Sequence, residues 1–588
     1  MADRNEKWVI RAISGDYVEM GNKYGISPVT ARILRNRGLV EDEDIRAFLD
    51  PDPSILDSKE YSGHNMADMD KGVSIGAEKI KSGKKIRIIG DYDIDGVSSV
   101  YILLKGIREA GGNVDHFIPH RIRDGYGLNE NTIRDAVRDG VDTIITCDNG
   151  ISAMDEISLA KDEGLTVIVT DHHEIPFHMD GEERVEDLPG ADAVIDPKRS
   201  DCPYPYKSIC GAYVAYKFLC CLYEELHIPK DRYEKYLEIA AFATIGDVMP
   251  LTKENRILVT EGLRRLKDTK NPGLRSLISA NSLEGKELTP YHVGFVLGPC
   301  LNAAGRLYDA EDALGLLLSE SEEEAREKAR ILREMNDSRK SLTEKGTARA
   351  LETASSPEYE GDSVLVIFLD DCHESIAGII AGRVREQTGK PAFILTEGMT
   401  SEGEPCYKGS GRSIDSYHMY DEMNKVKDLF IRFGGHAKAA GLSIPKEKFG
   451  ELRERLNRNS ALSKEDLYIR VMIDMELPFS MINFSLIEEL DRLKPFGTEN
   501  ERPLFAARDV RLSDLRVLGS SGNVLKGKAS DSRGTYISFV SFGSDAEEKK
   551  LLIEDLQRQG QGIKIVFSPE INEFRGEKTL QLVIEGIK

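Results

Sequence analysis

Several aspartates in the first half of the chain directly follow a short β-branched run. The segment GDYDIDG places Asp91, Asp93 and Asp95 at alternate positions after a predicted strand at 86–89. An extended or looping segment with this spacing turns all three carboxylates to one side, and so much negative charge is costly unless a cation neutralises it. The sequence therefore predicts a cation site at this point.

Three later segments supply more acids and two histidines, namely Asp148 in TCDNG, Asp171, His172 and His173 in TDHHE, and Asp247 in ATIGDVMPL. Taken alone, Asp148 would more often be a turn former or a helix N-cap, and a single histidine is usually a hydrogen-bonded polar residue. Open α/β sheets build their sites at the carboxyl ends of the strands. The convergence of four segments on one sheet edge favours a common site.

The predicted donor set is rich in oxygen and contains one or two imidazoles. Such a set suits Mn²⁺ or Mg²⁺ better than a zinc site dominated by thiolates. Two such ions about 3.5–4 Å apart would clamp the attacking and leaving oxygens of a phosphoryl transfer. The pattern therefore indicates metal-dependent phosphoester chemistry.

The elements that position these residues follow an α/β pattern. Between residues 84 and 197, β-branched runs alternate with amphipathic stretches, as in βαβ units on a parallel sheet. The sequence predicts strands at 86–89, 143–147, 165–170 and 193–195, and helices at 98–109, 131–139 and 152–163.

The second half of the chain suggests three further parts. A densely charged stretch at 316–351 predicts one or two long helices that connect two domains, followed by a second α/β unit with strands at 363–369 and 391–395 and a helix at 375–387. Short strands after residue 467 suit an OB-fold β-barrel, a fold that commonly binds single strands. The expected fold class is α/β, with two α/β domains joined by a long helix and a C-terminal OB-fold barrel.

Composition excludes several classes of protein. The 588 residues suggest about three to five domains. Since 101 Asp and Glu stand against 79 Lys and Arg, the formal charge of −22 argues against a protein that coats nucleic acid indiscriminately. The chain has no stretch approaching the roughly 18 apolar residues of a membrane helix, and its start mixes both charge signs. We therefore expect a cytoplasmic protein without a membrane partner.

The motifs DYDIDG, CDNG, DHH and GDVMPL resemble the four motifs of the DHH phosphoesterase family. Their order, spacing and flanking residues are similar to one branch, the bacterial RecJ single-strand exonucleases, over essentially the whole chain. The resemblance implies an N-terminal segment at 1–75 packed on a DHH catalytic domain at 76–315. It also implies a connecting helix at 316–350, a DHH-associated domain at 351–460 and an OB-fold domain at 461–588.

The resemblance also assigns roles to residues. It implies metal ligands at Asp93, Asp95, Asp148, His172 and Asp247, and catalytic roles for Asp91, Asp171 and His173, with His173 facing the substrate phosphate. Ile89 occupies the position at which some relatives carry a metal-binding histidine, and Asp91 is a candidate substitute. Implied phosphate or DNA contacts are Arg121 in IPHR, Asn302 and Arg306 in NAAGR, Ser410 and Arg412 in GSGRS, and Gly434, Gly435 and His436 in GGHAKAAGLSI.

Two of these groups also have ordinary interpretations. Each arginine alone would more often form a surface or interdomain ion pair, although its planar fork suits a terminal phosphate. In the OB-fold, aromatic residues are more often core than stacking platform, so the candidates there stay open: Phe496, Phe505, Tyr536, Phe539 and Phe574, with Lys526, Lys528 and Arg575 as backbone contacts.

By resemblance, the protein would be a Mn²⁺- or Mg²⁺-dependent exonuclease that degrades single-stranded DNA from the 5′ end to mononucleotides in recombinational and mismatch repair. The strand would thread between the two α/β domains. Single-strand binding protein and a RecQ-type helicase would be partners of a monomer. One rival is a small-substrate phosphatase or oligonucleotidase, which would not need the C-terminal barrel. The other is a catalytically silent replication scaffold, which would be expected to lose acidic ligands.

Overall fold

The computed structural model describes residues 6–588 apart from Ile122, Tyr126, Glu182, Ser401, Ser520 and Ser521, and its contacts divide the chain into two compact units. The first unit contains residues 46–338 and 494–501, and the second contains residues 1–45, 339–493 and 502–588. The boundary falls inside one helix, Glu322–Ala354, of 33 residues. This helix is the long connecting helix that the charged stretch predicts.

A five-stranded parallel sheet forms the centre of the first unit. Its strands lie in the order Asn113–Phe117, Lys85–Ile89, Thr143–Cys147, Thr166–Thr170, Ala193–Ile195. Alternate residues of each strand enter two separate cores, so that Ile145 and Ile168 face one and Ile144 and Val167 face the other. Burial on both faces explains why the central strands are continuous β-branched runs.

Helices cover both faces of this sheet. Within or at the edge of this unit they are Asp42–Leu49, Met69–Lys81, Ile94–Glu109, Glu130–Arg138, Met154–Asp162, Gly211–Glu225, Leu237–Gly246, Lys253–Leu266, Pro272–Ala280, Gly298–Leu307 and Glu311–Leu318. The helix Gly298–Leu307 continues a short turn at Pro290–His292 and a π-helical segment at Val293–Leu297. An exposed hairpin, Phe177–Asp180 with Glu183–Glu186, extends from the loop after the fourth strand in sequence.

The second unit contains another five-stranded α/β sheet. Its strands lie in the order Arg432–Gly435, Ala439–Ile444, Pro405–Arg412, Ala392–Met399, Leu365–Phe368, and only the last two are parallel to each other. The helices of this region are Glu374–Thr388, Met419–Asn424 and Phe449–Asn459. The predicted second α/β domain is confirmed.

A closed β-barrel follows in the same unit. Its strands are Phe505–Leu518, Val524–Ser530, Tyr536–Phe542, Ile563–Phe574 and Glu577–Ile587, with Met475–Glu476 added at one edge and the helices Phe484–Asp491 and Ala546–Arg558 beside them. The strand Phe505–Leu518 pairs with both Val524–Ser530 and Ile563–Phe574, which closes the barrel. Phe505 and Phe539 are buried in it, whereas Tyr536 and Phe574 are exposed.

The N-terminal segment is divided between the two units. Its strand Glu6–Ile10 pairs in parallel with Ile469–Ile473, and the helices Tyr17–Tyr24 and Pro28–Asn36 follow. Residues up to Ile45 therefore group with the second unit, whereas Tyr61 and Met66 enter the core of the first. Strand pairing thus holds the first part of this segment in the second unit.

Among the described residues, we find no helix with both the length and the apolar character that crossing a bilayer requires.

Candidate metal centre

The first acidic motif forms a tight turn between a strand and a helix. Asp93 is the N-cap of Ile94–Glu109, and its Oδ1 accepts hydrogen bonds from the backbone N–H groups of Asp95 at 2.9 Å and Gly96 at 3.1 Å. A Cβ at position 96 would collide with the Asp91 backbone, so the turn requires glycine there. The N-terminus of the helix thereby fixes one carboxylate of the motif.

Asp95 is held by the first turn of a different helix, Gly211–Glu225. Its Oδ2 accepts from the Gly211 N–H at 2.6 Å and its Oδ1 accepts from the Ala212 N–H at 2.8 Å. The side chain is buried, and burial raises the pKa of Asp95 even though His172 lowers it. Backbone donors therefore orient this carboxylate before any cation binds.

His172 is the point at which three motifs meet. Its Nε2 lies 3.1 Å from Asp148 Oδ1, 3.5 Å from Asp95 Oδ2 and 3.9 Å from Asp247 Oδ2. Burial lowers the pKa of His172, which favours the neutral ring that ligates metals. The Nδ1 atom is buried without a hydrogen-bond partner among the described residues.

The remaining carboxylates are crowded and mostly buried. Burial first, and then the charges of Asp95, Asp93 and Asp91, raise the pKa of Asp148 well above its usual range. Burial and the neighbouring Asp93 also raise the pKa of Asp91 well above its usual range. Burial and Asp95 raise the pKa of Asp247 to about 8. Without a cation, these groups resist ionisation together.

Ligand atoms that lie within 4.8 Å of one another form three overlapping groups: Asp91, Asp93 and Asp148; Asp95, His172 and Asp247; and Asp148, His172 and His173. The Oδ1 atom of Asp91 is buried without a hydrogen-bond partner among the residues the structure describes. A hard divalent cation fits this set because it would neutralise the carboxylates and use the unpartnered donor. Ile89 is buried in the core and offers no ligand.

Asp171 plays a different part from the other aspartates. Its Oδ2 accepts from the Ile151 N–H at 2.9 Å, and its Oδ1 lies 2.7 Å from His173 Nδ1. Burial alone would lower the pKa of His173, but the hydrogen bond and charge of Asp171 raise that pKa to about 9. Asp171 therefore holds a protonated imidazole at the edge of the cluster.

Three predicted phosphate contacts gather around Tyr92, within the acidic motif. The Arg121 guanidinium lies 4.9 Å from the centre of the Tyr92 ring, and Asn302 Oδ1 accepts from the Ile94 N–H at 2.8 Å. Burial raises the pKa of Tyr92 to about 12, although the charges of Arg121 and Arg306 act against that rise. The structure therefore brings Arg121, Asn302 and Arg306 to the metal candidates.

The other predicted contacts lie in the second unit, on neighbouring strands. Gly441 is in register with Ser410 on one side and with Gly434 on the other. A Cβ at Gly378 would lie 2.9 Å from Arg412 Nη2, which places Arg412 against the helix Glu374–Thr388. Gly435 ends its strand, and His436 directly follows, its N–H donating to the Ala439 carbonyl at 2.8 Å.

Sequence reasoning missed Asp196. This residue follows the strand Ala193–Ile195, and its Oδ1 accepts from the Lys198 N–H at 2.7 Å. Burial and the charge of Asp171 raise the pKa of Asp196 to about 8. Its position could have identified it, because Asp196 follows the carboxyl end of a parallel strand, as the other motif acids do.

The chain is similar to known proteins over nearly its whole length. Three domain descriptions match it: "DHH family, N-terminal domain" at residues 85–244, "DHHA1 domain" at 361–461 and "RecJ OB domain" at 473–586. The "Single-stranded-DNA-specific exonuclease RecJ" of Bacillus subtilis is 32% identical over 98% of this chain and 70% of its own length. The Escherichia coli protein of that name is 30% identical over 96% of both chains.

Solved structures agree with these sequence matches. RecJ of Thermus thermophilus in complex with Mn²⁺ superposes with a TM-score of 0.79 at 27% identity, covering 100% of this chain and 80% of that one. The same protein in complex with Mg²⁺ gives a TM-score of 0.74 at 26% identity, with 100% and 79% covered. On sequence and fold together, the chain belongs to the RecJ family of DHH phosphoesterases.

Proposed function

We propose that this chain is a metal-dependent exonuclease that hydrolyses single-stranded DNA from the 5′ end and releases 5′-mononucleotides. The observation that carries the proposal is the convergence of Asp95, Asp148 and Asp247 on His172 Nε2, all within 3.9 Å. The relatives named above support the substrate, since they are called single-stranded-DNA-specific exonucleases. The Mn²⁺ and Mg²⁺ complexes of a RecJ structure support the choice of metal.

The residues that would hold Mn²⁺ or Mg²⁺ are Asp93, Asp95, Asp148, His172 and Asp247, with Asp91 beside them. When bound, two such ions supply Lewis acidity, a nucleophilic water at neutral pH and neutralisation of the developing charge. The chain contributes preorganisation, because backbone N–H groups orient Asp93 and Asp95 and burial keeps His172 neutral.

His173 would act on the scissile phosphate. Its side chain is 46% exposed and bonded to Asp171 through Nδ1, so Nε2 is the nitrogen that would donate to a phosphate oxygen. A protonated imidazole held in place is a preorganised donor for a phosphate oxygen that gains charge. Asp171 would be a positioning residue that keeps His173 protonated and oriented.

The 5′ polarity would come from recognition of a terminal phosphate. Arg121 and Arg306 beside Tyr92 bring two cationic side chains close to an otherwise anionic site. A terminal phosphate offers more oxygens to a guanidinium than an internal diester does. On the second unit, Ser410, Arg412, Gly434, Gly435 and His436 would bind phosphates of the strand, and the exposed rings of Tyr536 and Phe574 would stack bases.

The proposal includes a cellular role in recombinational and mismatch repair in the cytoplasm. By family resemblance, the protein would act as a monomer, with single-strand binding protein and a RecQ-type helicase as partners. The scaffold alternative is disfavoured because all five ligand positions carry acids or histidine. The barrel matched as a RecJ OB domain disfavours a phosphatase of small substrates.

The test is digestion of single-stranded DNA that carries non-hydrolysable linkages at one end only. With Mn²⁺, wild-type protein should degrade 3′-blocked DNA and leave 5′-blocked DNA intact, and EDTA or Asp148→Ala should abolish the activity. Protection by the 3′ block instead would reverse the polarity. DNA binding without cleavage in any divalent metal would favour the scaffold alternative.

A further inference from the structure

An exposed pair of aromatic rings lies on the catalytic unit, outside every site assigned above. Tyr291 and Phe295 stack on each other with ring centroids 5.2 Å apart and planes inclined by 24°. The two residues are 64% and 68% exposed, although Phe is among the residue types most often buried. Two neighbouring exposed rings create an apolar patch, and such patches commonly mark a binding surface.

The helix that carries the rings also carries predicted phosphate contacts. The backbone runs without a break from Pro290–His292 through the π-helical segment Val293–Leu297 into Gly298–Leu307. Asn302 and Arg306 lie in that last part, and Asn302 is bonded to the Ile94 N–H directly after Asp93. Short π-helical segments inside helices occur frequently at functional sites.

The same helix packs on residues next to two proposed metal ligands. A Cβ at Gly298 would lie 3.0 Å from Ile94 Cδ1, and one at Gly294 would lie 3.7 Å from Ile245 Cγ2. Ile94 follows Asp93, and Ile245 precedes Asp247 by two residues. Packing therefore fixes the two rings relative to the metal candidates.

Five solvent-accessible positions of this helix form one stripe. Positions 291, 295, 299, 302 and 306 are exposed or half-buried and recur every three or four residues, whereas Val293, Leu297 and Leu301 are buried. At about 1.5 Å per residue, the stripe runs about 10 Å from Phe295 to Asn302 and about 6 Å further to Arg306. Aromatic faces at one end thus lead to an amide and a guanidinium at the other.

We propose that Tyr291 and Phe295 form a stacking platform for nucleobases of the single-stranded substrate, near the nucleotides held at the metal centre. This inference rests on the proposed function and deepens it by naming a base subsite on the catalytic unit. Stacking suits an enzyme without sequence preference, because every base offers a π-face. The platform would orient the strand while Asn302 and Arg306 contact its phosphates.

Binding of fluorescent oligothymidylate in EDTA, where the strand stays intact, tests the platform. Phe295→Ala and Tyr291→Ala should each weaken binding about tenfold. The matched controls Phe295→Tyr and Tyr291→Phe keep the rings and should bind like the wild type. Equal binding by the alanine variants and the wild type would overturn the platform.

An abasic scan of the DNA is a second test, in which affinity is measured first with the wild-type protein. Removing one base at successive positions should cost affinity at one or two adjacent positions only, and Phe295→Ala should abolish that cost. If the positional cost is unchanged in Phe295→Ala, the platform is excluded. Failure of the proposed function is distinguishable, because it would appear as an absence of Mn²⁺-dependent cleavage by the wild type.

Discussion

His172 Nε2 lies 3.1 Å from Asp148 Oδ1, and both side chains are buried. Because burial lowers the pKa of His172 and raises that of Asp148, both groups tend towards their neutral forms in the metal-free protein. A divalent cation reverses this tendency for the carboxylate and uses the lone pair of the imidazole. The crowded cluster thus lowers the stability of the metal-free fold and raises the affinity of the site for a cation.

Stabilisation by Mn²⁺ should increase with pH. The pKa of Asp247 in the folded chain is about 8 against an ordinary value of 3.8, so the folded state binds more protons than the unfolded state between these values. The metal-free protein therefore loses stability as the pH rises through that window, while Mn²⁺ binds the ionised carboxylates. The gain in melting temperature on adding Mn²⁺ should be larger at about pH 8.5 than at about pH 6.

Scanning calorimetry with saturating Mn²⁺ or EDTA measures this difference. At a metal concentration of about 100 times the dissociation constant, the gain corresponds to about 2.7 kcal/mol. Equal gains at both pH values would contradict the account of the carboxylates. Asp231→Asn, which changes an exposed acid on the same unit, should keep the wild-type pH dependence.

Asp148→Asn should make the metal-free protein more stable. In the unfolded chain Asp148 ionises at this pH, whereas burial and the charges of Asp95, Asp93 and Asp91 oppose its ionisation in the folded chain. Asparagine avoids this cost and nearly preserves the volume of the side chain. In EDTA at about pH 8, we expect the free energy of unfolding to rise by about 1 kcal/mol, measured by urea denaturation. With Mn²⁺ the wild type should have the higher free energy of unfolding, because the variant lacks a metal ligand. Destabilisation of the variant in EDTA would show that Asp148 has a mainly structural role.

The pair of Asp171 and His173 should stabilise the metal-free fold below about pH 9. The pKa of His173 is raised from 6.5 to about 9, so its contribution is complete below pH 6.5 and disappears as the pH rises through 9. Since 46% of the His173 side chain is exposed, water screens the pair, and we expect about 1 kcal/mol.

The measurement compares wild type with His173→Asn in EDTA, because the asparagine Nδ2 replaces the ring Nδ1 as a donor to Asp171 but does not titrate. The difference in free energy of unfolding should be present at about pH 6 and absent at about pH 10. A difference independent of pH would show that packing, not charge, holds the two side chains together.

The sequence predicts most strands of the first sheet because burial on both faces selects continuous β-branched runs. The edge strand Asn113–Phe117 is missed, since Asp115 and His116 give it a polar character. Asp115 is paired with Arg87 of the neighbouring strand at 2.8 Å, a partner that local patterning does not reveal. The barrel strand Val524–Ser530 has a similarly weak local pattern, because hydrogen bonds on both sides support a segment that contains Gly527 and two lysines.

The candidate site likewise has features that the sequence indicates and features that it does not. Acids at strand ends are visible in the sequence because the rule for parallel sheets is local. The bond from the Ile94 N–H to Asn302 and those from Gly211 and Ala212 to Asp95 join residues more than 100 positions apart. These contacts depend on tertiary packing, so no motif spacing indicates them.

Replacing Asn302 should affect stability and Mn²⁺ affinity, whereas replacing Arg306 should affect recognition of the 5′ phosphate. Asn302→Ala leaves the Ile94 N–H without its acceptor beside the acidic motif, so the variant should lose about 1–2 kcal/mol of stability and part of its Mn²⁺ affinity. Arg306→Ala should keep the Mn²⁺ affinity and lose its preference for 5′-phosphorylated over 5′-hydroxyl DNA. Urea denaturation, metal titration and DNA binding measure the three quantities. Unchanged Mn²⁺ affinity in Asn302→Ala would make Asn302 a contact for DNA alone.

Gly434→Ala should reveal whether DNA approaches the second unit. An added Cβ at Gly434 would meet no atom within 4 Å, and its φ does not require glycine, so the melting temperature should not change. If a phosphate lies against this backbone, the methyl group should weaken binding of 5′-phosphorylated DNA several-fold. Gly450→Ala is the matched control, because that site is equally open and lies in the helix Phe449–Asn459.

Gly435→Ala is unsuitable, since φ is 151° and a Cβ there would strike the Ala439 carbonyl. Unchanged binding in Gly434→Ala would remove Gly434 from the proposed phosphate site.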